Sequence, residues 1–340
     1  MSKYDYNPGP TISHAAGINI GTPDLEKSLW FFRDLLGMEV TAQTENVAYL
    51  RGYQEHVHHS LTLTRQANSA VNSLSFRVGR REDVELFHDR IQKSETDVLE
   101  LPSGSEAGRG EAIRFLIPGS NHPVELYYDI DRTAGDPDLK SQLLGNSTRR
   151  RGLGVQRIDH LNVSTTPSTI GTAERWMREE LGMKRREYAA AEPGTDDLWV
   201  SWLSVNSRLH DIAIAANEQE GDARFHHVAF HLANYHDVLT AADVLRDNGI
   251  QIDAGPGVHG VGQAMYLYVR DPGSGHRIEL YSGGYPFFEP DWEATYWGIA
   301  EMGAGMTWVA DLPNMDPATS TYVTTTAMSG LEFNRAGGQA

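Results

Sequence analysis

The sequence predicts an α+β protein of two domains, each built from two βαβββ modules whose strands form a curved mixed sheet. Three observations carry this reading. Each half of the 340-residue chain runs twice through a strand, an amphipathic helix and several further strands. Corresponding residues of the two halves keep one offset: Glu82-Asp83-Val84 and His236-Asp237-Val238 lie 154 residues apart, as do Glu125 and Glu279. The length is enough for two compact domains with their own cores, and the charged residues are spread along the chain rather than blocked.

In chain order, residues 1–150 form an N-terminal domain, residues 151–305 a C-terminal domain and residues 306–340 a tail. The first helix is expected from Pro23 to Gly37, and its counterpart from Pro167 to Gly182; each is read as opening with proline in the first turn and stopping at glycine. The polar, glycine-containing stretch from Asp131 to Gly152 reads as a linker. The tail, rich in Thr, Ala and Gly, either wraps the second domain or frays.

Composition excludes several classes. A net charge of −17 with no basic stripe argues against nucleic acid. No stretch approaches the roughly 18 apolar residues of a membrane helix, and the N-terminus lacks a signal-peptide apolar region, so a soluble cytoplasmic protein is expected. With no cysteine, disulfides and thiolate ligands are ruled out together, and any metal is expected to be held by nitrogen and oxygen.

His160, His227 and Glu279 supply such a set in the C-terminal half, whereas the N-terminal half offers His14, Ser73 and Glu125. The interval from Ser73 to Glu125 is 52 residues, and so is that from His227 to Glu279. Serine is too weak a third ligand, so His14 and Glu125 are read as relics of a broken site. Alternation along Phe225–Leu232 puts Val228, Phe230 and Leu232 on the core face, with His226 on that side and His227 on the concave one. Two imidazoles and a carboxylate on three strands can occupy one face of a metal and leave the other open. That donor set suits Fe(II) in oxygen-activating enzymes, and Mn(II) as well.

The order of these ligands and the stretch Gly255-Pro256-Gly257-Val258-His259 through Tyr268-Val269-Arg270-Asp271-Pro272 to Glu279 resemble the extradiol ring-cleaving catechol dioxygenases of the vicinal oxygen chelate superfamily. The likeness spans about residues 10 to 290 and is nearest to the catechol 2,3- and homoprotocatechuate 2,3-dioxygenases. The turn Asp271-Pro272-Gly273-Ser274-Gly275 is one residue longer than the family's, which predicts a longer loop rather than a displaced ligand.

The resemblance implies Fe(II), with Mn(II) possible, a catecholic substrate, O2, and ring opening to a muconic semialdehyde. It also implies a homotetramer or other homo-oligomer. By the same resemblance His210 occupies the acid/base position, and His259 and Tyr268 lie on the substrate side. Asn162, two residues from His160 and on the same face, is expected to contact either O2 or the groups behind the ligands, and Trp202 reads either as pocket wall or as core. Where the homoprotocatechuate enzymes carry an arginine, this chain has Ala254, which predicts an uncharged catechol, plain or alkyl-substituted. A glyoxalase-like isomerase and a non-catalytic small-molecule-binding member of the superfamily are the alternatives.

Overall fold

The computed structural model describes residues 9–132, 151–217, 223–298, 301–302 and 325–328. The four modules follow one another along the chain. The first is β1 (Ile12–Thr22), α1 (Leu25–Leu29), β2 (Glu39–Gln43), β3 (Val47–Arg51) and β4 (Leu61–Arg65), and the second is β5 (Ala70–Val78), α2 (Asp83–Lys93), β6 (Val98–Leu101), β7 (Ala112–Leu116) and β8 (Pro123–Tyr127). The third is β9 (Arg157–Thr165), α3 (Ile170–Leu181), β10 (Lys184–Ala190), β11 (Leu198–Ser204) and β12 (Ile212–Ala216). The fourth is β13 (Arg224–His231), α4 (Tyr235–Asp247), β14 (Ile252–Val258), β15 (Ala264–Arg270) and β16 (Arg277–Gly283). Two short strands follow, β17 (Thr295–Trp297) and β18 (Thr326–Ala327).

Each half closes into one mixed sheet, ordered β2-β3-β4-β1-β5-β8-β7-β6 and β14-β15-β16-β13-β9-β12-β11-β10-β17, with β18 pairing to β13. In every module the first and last strands run parallel, and the two modules of a half meet through antiparallel first strands, β1 with β5 and β9 with β13. The two-domain α+β architecture expected from the repeat is therefore the one observed. Among the described residues no helix is long and apolar enough to cross a membrane.

Helix starts differ from the sequence reading. Asp24, not Pro23, caps α1, its Oδ1 accepting the Lys27 N–H at 3.0 Å. Pro167 likewise precedes Thr169, the residue before α3. The Asp24 cap leaves Pro23 outside the first turn, whereas the Thr169 side chain caps no helix N–H. After Leu29 the first helix widens into π winding over Trp30–Leu35, where the Leu36 N–H reaches Phe31 O at 2.9 Å. The helix ends are as expected: Gly37 and Gly182 take φ of 80° and 70°, the left-handed region that glycine enters without cost.

The halves share one apolar core, in which Phe32 beside α1 meets Phe230 of β13 edge-on at 6.0 Å. They also brace each other reciprocally. His276 Nε2 donates to Ala70 O at 3.0 Å, and its repeat partner His122 donates to Arg224 O at 3.0 Å. The long 271–275 turn belongs to this brace. Asp271 Oδ2 accepts from Ser28 Oγ at 2.7 Å and from Ser274 N–H at 3.1 Å, and a Cβ on Gly273 would lie 2.4 Å from Asp24 O. The extra residue lets the turn dock on the start of the first helix. Past it, Tyr268 still pairs with Glu279, so the ligand is not displaced.

Part of the tail returns to the body: β18 pairs with the start of β13, and Arg224 donates to Thr325 O at 2.6 Å. The rest of residues 306–340 lies outside the described residues, as does most of the proposed linker.

Candidate metal centre

The three expected ligands come from adjacent strands at the middle of the second sheet, His160 on β9, His227 on β13 and Glu279 on β16. They converge on one point, with ligand atoms within 4.8 Å of one another. His160 Nε2 lies 2.8 Å and His227 Nε2 3.1 Å from Glu279 Oε2, and the two Nε2 atoms are 3.3 Å apart. All three side chains are almost completely buried.

The charges show why this cluster suits a cation. Burial opposes charge on His160, but Glu279 and Asp159 outweigh it and raise the imidazole to about 9. Burial lowers His227 to about 4, with Glu279 pulling the other way. Burial also works against charge on Glu279, yet the two histidines hold its carboxyl well below the usual carboxylate range. An anionic glutamate thus draws a proton onto one of two imidazoles that both aim Nε2 at it. A divalent metal replaces that proton and takes both nitrogens neutral. Asp159 Oδ1 receives the far side of His160 at 3.0 Å from Nδ1, the support a ligating imidazole commonly has. Glu279 Oε1 has no hydrogen-bond partner among the described residues, although His259 Nε2 is 3.7 Å away. Two imidazoles and a carboxylate, with no thiolate, fit Fe(II) or Mn(II).

The strand reading of His226 needs correction. Pairing of β13 with β9 slips between Phe225 and His227, and this bulge breaks the alternation. Phe225 and Val228 both enter the core, while His226 and His227 both line the cavity, their Nδ1 atoms 2.7 Å apart. His226 therefore does not face the core.

The triad opens on a cavity of about 270 Å³, bordered also by His210, His259, Tyr268, Asn162 and Trp202. The His210 ring lies 4.0 Å from that of His160, and burial, then the charge on His160, pushes it well below the ordinary histidine range. Its Nδ1 and Asn162 Oδ1 are buried without a hydrogen-bond partner among the described residues. His259 stacks on Tyr266 at 3.9 Å, and its Nε2 is 3.1 Å from Tyr268 OH. Below Tyr268 the guanidinium of Arg277 sits 5.9 Å from the ring centre. Trp202 joins Leu209 and Val261 in a wall cluster distinct from the main core. The sequence reading missed Tyr281, whose ring meets His160 edge-on at 4.9 Å, and the lining residues Met302 and Thr325. Tyr281 follows Glu279 by two on β16, so strand alternation would have found it.

In the first half the matching place is closed. Strand register puts Gly17, not His14, opposite the position of His160: Ile18 pairs with Leu61 and Leu74 as Leu161 pairs with Ile212 and Val228. His14 instead bonds Ser13 Oγ at 2.9 Å, three residues away along the strand. Ser73 and Glu125 do take the places of His227 and Glu279. Arg114 stands where Tyr268 would, and its Nε reaches Glu125 Oε1 at 2.9 Å. Arg109 Nη1 donates to Glu125 Oε2 at 2.6 Å. Guanidinium groups supply here the positive charge that a metal would supply in the other half.

The chain matches the Glyoxalase/Bleomycin resistance protein/Dioxygenase superfamily over residues 11–125 and 157–280. It belongs to that superfamily. Among curated relatives it is 42% identical over 309 residues to the manganese-dependent 2,3-dihydroxybiphenyl 1,2-dioxygenase of Geobacillus genomosp. 3, covering 90% of this chain and 96% of that one. It is 31% identical over 316 residues to the metapyrocatechase of Geobacillus stearothermophilus, covering 91% and 93%. The crystal structure of homoprotocatechuate 2,3-dioxygenase from Arthrobacter globiformis superposes with a TM-score of 0.80 at 28% identity, covering 90% of each chain. The protein is an extradiol ring-cleaving dioxygenase that depends on a metal. The four modules of the dioxygenase have the vicinal oxygen chelate fold that the sequence resemblance implied.

Proposed function

We propose that the enzyme opens uncharged catechols carrying an apolar substituent, alkyl or aryl, next to the hydroxyl pair. His160, His227 and Glu279 hold the metal. The nitrogen–oxygen donor set accepts Fe(II), the ion first expected, and Mn(II) alike. The manganese-dependent relative at 42% identity moves Mn(II) to first place. Bound there, the ion would supply Lewis-acid and electron-transfer chemistry to the catechol and O2.

The remaining roles fall to protein groups. His210 is kept neutral by burial beside the triad, so it can take the catechol proton and return it as the ring opens. His259 and Tyr268 form a hydrogen-bonded pair on the opposite side and orient the substrate oxygens. The buried amide oxygen of Asn162 faces the O2 side, and Trp202 forms the ring's wall. We further propose that the enzyme works as a homo-oligomer, which light scattering in solution tests.

The observation that carries the substrate assignment is the cavity lining. It holds no lysine or arginine among the described residues, while Trp199, Val200, Leu209, Val261 and Met302 give it apolar sides. A buried carboxylate without a cation is strongly disfavoured. Arg270, which could have compensated for Ala254, is engaged by Asp253 Oδ2 at 2.5 Å and by Gly275 O at 3.1 Å. An apolar cavity of about 150 Å³ takes one benzene ring, so 270 Å³ leaves room beside a catechol ring for a sizeable apolar group. Measuring kcat/KM for catechol, a methylcatechol, a dihydroxybiphenyl, protocatechuate and homoprotocatechuate tests this. Preference for either carboxylated ring would refute it.

A further inference from the structure

Glu187 is a buried acid behind the pocket wall that none of these roles uses. It lies on β10 opposite Trp202 and is 1% exposed. Its carboxylate gathers donors from three separate parts of the C-terminal half. Oε1 accepts the Gly262 N–H at 3.0 Å and the Tyr285 hydroxyl at 2.6 Å, and Oε2 accepts the Trp297 indole N–H at 2.6 Å.

Each donor belongs to a segment that borders the cavity or packs against its wall. Gly262 follows Val261 in the turn from β14 to β15, which starts at His259; both His259 and Val261 line the cavity. Tyr285 lies just beyond β16, and its N–H returns to Gly262 O at 3.3 Å. Trp297, on β17 beside β10, packs in the cluster that holds Met302, Leu209 and Trp202. Burial pushes Glu187 up, and the Tyr285, Trp297 and Gly262 donors oppose that shift. With three donors on one buried carboxyl group, the three segments converge on a single anchor.

The turn is also pressed from its other side. Gly262 has φ of 66°, and a Cβ there would lie 2.0 Å from Leu209 Cδ2, next to His210. The His259–Gln263 turn is thus gripped between Leu209 and the Glu187 carboxylate. Glu187 itself does not border the cavity, so its influence on substrate passes through the turn.

We infer that Glu187 is a positioning residue: by clamping Gly262, Tyr285 and Trp297 together it fixes the wall that His259 and Val261 present to the catechol. The inference rests on reading His259 and Val261 as substrate-facing. The test compares Glu187→Gln and Tyr285→Phe with the wild-type holoenzyme, measuring metal per chain, melting temperature, KM and kcat for an alkylcatechol, and anaerobic affinity for the same catechol. In the glutamine variant an amide donor must face one of the three donors. The expected result is full metal content with KM and the anaerobic dissociation constant raised by about tenfold. A fall in kcat/KM of roughly 10- to 10²-fold, the scale of small misplacements, should accompany it. Tyr285→Phe, which removes one hydroxyl, moves KM the same way by less. Wild-type KM and affinity in a folded Glu187→Gln, or a loss that only follows metal content, would overturn the inference. If that variant does not fold, unchanged KM in Tyr285→Phe overturns it instead. A wild-type enzyme that cleaves no catechol contradicts the reading of the site, not the clamp.

Discussion

Glu125 and Glu279 occupy equivalent positions in the repeat, and replacing each with alanine should give opposite phenotypes. Glu125 is 1% exposed; its Oε1 accepts from Arg114 and its Oε2 from Arg109 and from Ser75 Oγ at 3.2 Å. Arg114 is fully buried, so Glu125→Ala strands a guanidinium in the first domain. Removing one member of a buried ion cluster costs about 3 to 5 kcal/mol. At 2 to 4 °C per kcal/mol, the melting temperature should fall by roughly 6 to 20 °C. The metal, held in the other half, should stay at one per chain. Glu279→Ala should instead lose the metal and the activity. A double variant, Glu125→Leu with Arg114→Met, should recover much of the lost stability, because apolar replacement of a buried pair is often close to neutral. Calorimetry and metal analysis on the same samples decide the matter. Metal loss in Glu125→Ala with an unchanged melting temperature would refute the assignment of the first-half cluster as structural.

Further outcomes follow from the same geometry. His210→Asn should keep its metal and slow turnover by roughly 10²- to 10⁴-fold, the usual share of a general acid or base, measured by oxygen uptake at saturating catechol. His276 bridges the halves and is lowered to about 4, chiefly by burial, with the Ala70 and Gly21 carbonyls pulling upward and Arg270 adding to the lowering. The unfolded chain therefore binds more protons between pH 6.5 and 4. Stability is full above that window and falls by up to ~3 kcal/mol as the pH drops through it. His276→Gln, which can still donate to Ala70 O, should flatten this part of the melting-temperature profile. Removing the metal with a chelator should lower the melting temperature, and adding excess Mn(II) or Fe(II) should raise it in proportion to the logarithm of metal concentration.

Much of the fold and site was legible because it lies in spacing and alternation. The four modules and the set His160, His227 and Glu279 follow from the repeat and the strand pattern, whereas His210, His259 and Tyr268 were marked by the family resemblance alone. What escaped has local causes. A bulge at Phe225–His227 leaves no mark in the residue pattern, so alternation put His226 on the wrong face. His14 drew attention because it is a histidine, whereas Gly17, which holds the equivalent place, has no side chain to signal it. The arginines that fill the first-half site are visible as residues, but only strand register shows that Arg114 replaces Tyr268. Glu187 gathers donors 75 to 110 residues away in sequence, a separation at which no periodicity operates.

The central claim is that one metal in the C-terminal half opens the catechol ring. Its most direct test is anaerobic loading of metal-free wild type and His227→Ala with Mn(II) or Fe(II). Catechol and then oxygen are added while the absorbance of a yellow ring-opened product is followed. The expected result is one metal per wild-type chain, product formation only after loading and only with oxygen, and neither metal nor product in His227→Ala. Product from the metal-free enzyme, or a His227→Ala variant that keeps both its metal and its rate, would contradict it.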